Sequence, residues 1–313
     1  MKNLLIIISA ILLAACTPKT NDTLTIGVLK GPSAISVAQW LSQSAVIDGK
    51  KLTVTVCDEV GDLQALMIQG KVDFAVLPTT VAAILYNKGV DYRMVACPVQ
   101  GSIYVVSSDS ISSFNELKSR KISVSGQGTT PDVLFVLLAQ KNGFTKQECQ
   151  LDFSIGNHAD LAQAMVLGKV KTALLPEPFV TMACLKNPSL KPVVSFADEL
   201  IKADSSALFA MTAFVVRGSM VDAHKALVDS VSVRYRSAIA WLSAHPQEVA
   251  EAAVKAKILP NAKVASMCIP RCNIHYLAVA DEELQIGHYL NIFFNFDPKT
   301  IGSKMPDKRF YYR

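Results

Sequence analysis

The chain has 313 residues with 31 basic and 26 acidic side chains, a formal net charge of +5 and a hydrophobic fraction of 50%. That fraction is ample for the cores of two domains of ordinary size. The charge is mild and no long basic run occurs, so nucleic acid is not an implied partner.

Lys2 gives the N-terminus a positive charge, and Leu4 to Leu13 is an apolar run. The run is too short for a membrane-spanning helix, which needs about 20 residues. It closes on Leu13-Ala14-Ala15-Cys16, small residues ahead of a cysteine. This resembles the bacterial lipoprotein signal. By that resemblance residues 1–15 are a signal peptide, and Cys16 becomes the N-terminus carrying acyl chains, palmitate among them. The expected location is the cell membrane, lipid-anchored, with the protein on its extracytoplasmic side. Residues 16–23 read as a polar tether. The alternative is an ordinary secretory signal with a chance cysteine at its boundary. No later segment is long and apolar enough to span a membrane.

From residue 24 the pattern alternates. Leu24 to Leu29 predicts a strand, the loop Lys30-Gly31-Pro32-Ser33 follows, and Ala34 to Ser44 predicts a helix. Lys51 to Cys57 alternates as a strand. A helix over 62–69, a strand over 72–77 and a helix over 81–88 come next, then strands over 92–97 and 103–107. A short helix near 115–118 leads to a strand at Lys121 to Ser125. Gly126-Gln127-Gly128-Thr129-Thr130-Pro131-Asp132 then opens a helix ending at Asn142-Gly143. A strand over 151–155, a second helix–strand unit, a helix near 179–186 and a strand over 208–216 complete the alternation. Helices over 223–244, 246–257 and about 276–295 precede a polar tail.

Within this pattern the chain repeats itself. Residues 62–78 read DLQALMIQGKVDFAVLP and residues 160–176 read DLAQAMVLGKVKTALLP, identical at nine of 17 positions without a gap. Each copy reads as an amphipathic helix, a Gly-Lys stop and an apolar strand closed by proline. Two copies of one unit predict two similar lobes with a working cleft between them. The first lobe is expected over 24–100 plus 217–313 and the second over 106–207. Crossings at 101–105 and 208–216 would form a two-segment hinge. Alternating strands and helices predict mainly parallel sheets with helices on both faces.

Ligands of open α/β sheets sit beyond the carboxyl ends of the strands. The candidate binding residues are therefore Lys30, Pro32 and Ser33 after the first strand, and Thr79 and Thr80 after the first repeat. In the second lobe they are Gly128, Thr129 and Thr130 at a helix start, and Glu177 after the second repeat. Free N–H groups at the glycine loop attract an anion or a carbonyl oxygen, or Thr129 or Thr130 simply caps the helix. The loop lacks the Gly-Lys-Ser/Thr of a Walker motif. The hydroxyls of Thr79 and Thr80 suit a small polar ligand or cap the next helix. Glu177, between two prolines, can accept from an amine or bond backbone N–H groups across the turn. Lys30 pairs an anion or is simply solvated. Trp40 and Tyr104 are candidates to flank a planar ligand, with core packing the better reading for Trp40.

After Cys16 six cysteines remain, and an exported location permits disulfides. Cys268-Ile-Pro-Arg-Cys272 is the one close pair, either a small disulfide loop or half of a metal site; no second pair completes a zinc set. Cys57 and Cys97 end apolar runs and read as buried free thiols. The five histidines are scattered, with no nucleophile elbow, HExxH or paired carboxylates. No catalytic residue, metal or cofactor is expected.

Several segments together resemble the substrate-binding lipoproteins of ABC importers, in the group handling nitrate, alkanesulfonates, aliphatic sulfur compounds and thiamine precursors. They are Phe114-Asn115-Glu116-Leu117-Lys118 with Lys121-Ile122-Ser123-Val124, Thr129-Thr130-Pro131-Asp132, Glu177-Pro178-Phe179, Arg234 to Leu242 with His245-Pro246-Gln247-Glu248-Val249-Ala250, and Pro306-Asp307 to Tyr312. The resemblance covers most of residues 24–313. It implies an α/β, two-lobed fold of the periplasmic-binding-protein type (type II-like) that closes by hinge motion. It also implies a small-molecule ligand, permease and ATPase partners, and a monomeric receptor. A small organic ligand with a ring or amine is favoured, because the candidate loops hold one clear cation and no arginine. The competing readings are an enzyme of pyrimidine or related metabolism on the same fold, and a ligand-sensing partner of a membrane receptor. The cysteine-rich signature of the pyrimidine-synthase relatives is not seen.

Overall fold

The computed structural model describes residues 22–313. Cys16, the signal segment and most of the tether lie outside the described residues. Among the described residues, twelve strands form two sheets. They are β1 (Thr23–Leu29), β2 (Val46–Ile47), β3 (Lys50–Cys57), β4 (Phe74–Pro78), β5 (Tyr92–Val99), β6 (Ile103–Ser107), β7 (Lys121–Val124), β8 (Gln150–Asp152), β9 (Thr172–Pro176), β10 (Lys191–Ser195), β11 (Thr212–Arg217) and β12 (Ile274–Ala278). The first sheet has the order β12-β5-β11-β4-β1-β3-β2 and the second the order β10-β6-β9-β7-β8.

The repeat is visible residue for residue. Its helices span Val60–Ile68 and His158–Val166, and its strands are β4 and β9, every boundary offset by the same 98 positions. Both helices stop for the same local reason: Gly70 and Gly168 take φ of +64° and +71° just past the last turn, a conformation cheap only for glycine. The pairings repeat as well. β1 runs parallel to β4 with Gly27 opposite Ala75, and β7 runs parallel to β9 with Ser123 opposite Ala173, the same repeat position. β11 runs antiparallel to β4 with Thr212 opposite Pro78, and β6 runs antiparallel to β9 with Ile103 opposite Pro176. Five strands of each sheet thus share one plan.

The antiparallel members correct one expectation. The sheets are mixed, not mainly parallel: six of ten pairings are antiparallel. The chain leaves the first sheet at Val99 and enters the second through β6; it returns through β11. Each entering strand slots beside the repeat strand in the opposite direction, which helix periodicity does not reveal. Other differences are local. The helix expected over 34–44 is two short turns, Pro32–Ile35 and Ala38–Ser42. At the break the Ser36 hydroxyl bonds the Ser33 carbonyl at 2.6 Å and meets the Tyr235 hydroxyl at 2.5 Å. The last long helix starts at Val279, because Ile274–Ala278 instead pairs with β5 as β12. β10 and the helix Phe196–Ala203 were not anticipated.

β4 and β9 carry buried side chains on both faces, as strands covered by helices do. The two crossings lie side by side. The Ser102 hydroxyl reaches the Met211 sulfur at 3.6 Å, and the Met211 N–H bonds the Val99 carbonyl at 3.1 Å. Gly101, at φ +93°, lies against the Phe209 ring so closely that a Cβ there would come within 2.7 Å of Cγ and Cε1.

Candidate functional site

The carboxyl end of β1 lies near that of β9. The turn after β1 approaches the turn after β9: a Cβ on Gly31 would stand 3.8 Å from Pro178 Cδ and 4.0 Å from the Glu177 carbonyl oxygen. Loops 30–33 and 176–179, which the sequence placed on different lobes, meet across this line.

In the first lobe, Lys30 Nζ pairs with Asp58 Oδ1 at 3.1 Å, and the lysine side chain keeps 45% of its exposure. An ion pair so open to water adds little stability and leaves the ammonium available. Pro32 opens the turn 32–35, and Ser33 is buried within it. Thr79 is fully buried, and its hydroxyl donates to the Ala210 carbonyl at 2.6 Å. That hydroxyl is committed to the return crossing. Thr80, half-buried, is the next residue of the helix Thr79–Asn87.

In the second lobe, Gly128 sits at φ +73° and its N–H donates to Asp132 Oδ2 at 2.8 Å. Asp132, in the first turn of the helix Thr130–Lys141, so takes one of the N–H groups an anion would use. Thr129 is exposed and its hydroxyl donates back to the Gly126 carbonyl at 2.7 Å; Thr130 is half-buried. Glu177 has no side-chain exposure. It accepts from the Thr181 N–H at 3.1 Å, the Thr181 hydroxyl at 2.9 Å and Arg271 Nε at 2.7 Å. Burial pushes its carboxyl up, and the Arg271 guanidinium opposes that shift. Of the two readings of Glu177, backbone bonding across the turn is realised through Thr181.

Three residues absent from the sequence-level site share the ends of β7, β8 and β9. The Ser125 hydroxyl lies 2.5 Å from His158 Nδ1, and the His158 and Phe179 rings are 5.9 Å apart. Burial lowers the His158 pKa from 6.5 to about 4, so the imidazole is neutral. The pair offers hydrogen bonding without charge. A signal existed: His158 stands 98 residues after Val60, where the two copies differ. Arg271 was hidden between Cys268 and Cys272.

The Trp40 and Tyr235 rings lie 5.2 Å apart, tilted by 34°, in the core. The Tyr104 hydroxyl bonds the Arg271 carbonyl at 3.1 Å, and burial raises its pKa to about 12. The six described cysteines carry free thiols, all buried except Cys184, which is half-buried. Among the described residues no three His, Cys, Asp or Glu side chains cluster as metal ligands. None of their helices is long and apolar enough to cross a membrane.

Two mixed α/β sheets joined by paired crossings define the two-lobed periplasmic-binding fold. Solved structures share it. A similar chain is an ABC transporter from Parabacteroides distasonis, 28% identical, with 93% of this chain and 99% of that one covered and a TM-score of 0.82. The periplasmic aliphatic sulphonate binding protein SsuA from Escherichia coli is 14% identical over 93% and 92% of the chains, with a TM-score of 0.72. The periplasmic nitrate-binding protein NrtA from Synechocystis is 11% identical over 90% and 84%, with a TM-score of 0.62. No curated protein matches the sequence. The family model described as ABC transporter, phosphonate, periplasmic substrate-binding protein matches residues 36–255, and the chain belongs to that family. It is the substrate-binding component of an ABC transporter, with a small-molecule ligand and permease and ATPase partners. The family is extracytoplasmic, and the solved neighbours are named as transport binding proteins.

Proposed function

We propose that the protein is the membrane-anchored solute receptor of an ABC importer, closing on a small organic ligand between its lobes. The observation that supports this reading is the approach of Gly31, after β1, to Pro178, after β9. Lobe 1 comprises 24–100 and 217–313, lobe 2 comprises 106–207, and the paired crossings are the hinge. Acyl chains on Cys16 hold the receptor, as a monomer, on the extracytoplasmic side of a membrane.

Lys30, Pro32, Ser33, Thr80, Gly128, Thr129 and Thr130 remain the ligand-facing candidates, and Ser125, His158 and Phe179 join them. Thr79 and Glu177 act through the framework. Recognition by hydroxyls, a neutral imidazole and a ring supports an organic ligand over a bare inorganic anion, which is usually held by more positive charge. A second reading, an organic anion such as a phosphonate or sulfonate, draws on the family and on the accessible Lys30 ammonium.

Mass spectrometry of small molecules released by denaturing the purified protein tests the ligand class. A ring- or amine-bearing compound is expected; nitrate or a simple alkanesulfonate would overturn the preference. Calorimetry of the refolded protein with the recovered compound tests the receptor reading, and a failure to bind sinks it.

A further inference from the structure

Arg271 stands in Cys268-Ile-Pro-Arg-Cys272, a segment the receptor reading leaves unused. Cys268 and Cys272 on either side of it are fully buried in the core beneath the first sheet. Two residues on, β12 joins that sheet. Asn273, left-handed at φ +50°, exchanges two hydrogen bonds with Gln100 at the first crossing, of 3.0 Å and 2.9 Å. The backbone of Arg271 is thereby fastened to the first lobe, and its carbonyl also accepts from the Tyr104 hydroxyl of β6 at 3.1 Å.

Its side chain is fastened to the other. Nε donates to Glu177 Oε1 at 2.7 Å and Nη2 donates to the Thr181 hydroxyl at 2.8 Å. Glu177 opens the turn after β9, and Thr181 lies in the first turn of the helix Phe179–Lys186. The same helix lays Met182 and Leu185 against the core of the first sheet. Arg271 therefore joins two bodies through one buried carboxylate. A buried charge needs its partners, and removing one strands the other. If the lobes part, Arg271 withdraws and Glu177 keeps only its Thr181 bonds.

We propose that Arg271 and Glu177 form an ionic latch between the lobes, and that opening of the cleft requires this pair to break. The proposal rests on the hinged receptor reading and adds what sets the balance between open and closed forms. A ligand moves that balance only by its difference in affinity for the two forms. The latch supplies a share that needs no ligand, so its strength governs how far bound cargo holds the lobes shut and how readily they release it.

Small-angle scattering on full-length soluble protein, unfolded, dialysed and refolded to strip small molecules, tests the latch without any ligand. The wild type should remain compact and Arg271→Ala should expand. The closed population should fall roughly 10- to 100-fold relative to the open one, the range for losing hydrogen bonds to a charged group. Glu177→Gln keeps the side-chain volume while removing the charge and should expand as well. Arg271→Lys keeps the charge but not the fork and should fall between. Circular dichroism checks the fold, and the two conservative variants carry the test should Arg271→Ala fail to refold. Wild-type radii in the variants, with only the melting temperature lowered, would overturn the latch, as would an expanded wild type. Neither result touches the receptor reading, which stands or falls on calorimetric binding of the recovered ligand.

Discussion

Thr79 and Glu177 are the same residue of two lobes, 98 positions apart, and each ties its lobe to a crossing. The Thr79 N–H bonds the Met211 carbonyl at 3.2 Å, and the Glu177 N–H bonds the Ser102 carbonyl at 2.9 Å. Met211 and Ser102 precede Thr212 and Ile103, the residues paired with Pro78 and Pro176. The backbone role is shared and the side chains have diverged. Thr79 adds a bond to Ala210, and Glu177 reaches for Arg271.

Thr79→Val should therefore weaken the fold, not the recognition. It leaves the buried Ala210 carbonyl without its donor, at a cost of about 1–3 kcal/mol. Thermal unfolding should shift down by several degrees while affinity of the folded protein holds. Thr80→Val should do the reverse, weakening binding roughly 2- to 10-fold for one lost neutral hydrogen bond. Calorimetry on both variants separates the roles, and exchanged phenotypes would overturn the assignment.

Lys30→Ala should weaken binding of the ligand recovered from the protein by roughly 3- to 30-fold if the ammonium meets it, with little change in melting temperature. The exposed pair with Asp58 contributes too little stability to show. Unchanged affinity would place Lys30 outside the contact set.

His158 should make stability depend on pH. Its pKa falls from 6.5 to about 4 on burial, so between those values the unfolded chain takes up a proton that the folded chain refuses. The contribution is fully present above about pH 6.5 and is lost as the pH falls towards 4, roughly 3 kcal/mol in all. Urea midpoints at about pH 7 and about pH 4.5 should differ less in His158→Gln than in the wild type. Equal slopes would show that the imidazole is hydrated in solution.

Cys16→Ser should release the protein from membranes and leave binding by residues 24–313 intact, because single anchors act only through the acyl chains they carry. A Cys16→Ser protein that still sediments with membranes would remove the lipid-anchor reading.

Much of the second sheet could be foreseen from the first. The stretch 60–78 has helical period, a glycine stop and a run of buried apolar residues, and 158–176 repeats each of these signals. Shorter elements escaped. β12 reads Ile-His-Tyr-Leu-Ala, which suits either period, and only its pairing with β5 decides it. Among the site residues, the loop positions of Lys30 and Glu177 were legible from the strand ends, but their partners were not. Ser125 and His158 are 33 residues apart, and no local pattern joins them.

The sequence by itself determined the two-lobe plan, the repeat and the positions of the strand-end loops. Periodicity, glycine stops and prolines act within a few residues, so they are written locally. Tertiary structure alone decided that the crossing strands enter antiparallel, that Thr79 faces Ala210, and that Glu177 is bound to an arginine 94 residues away. A buried carboxylate must find a donor, but which donor it finds depends on where the lobes bring the chain together.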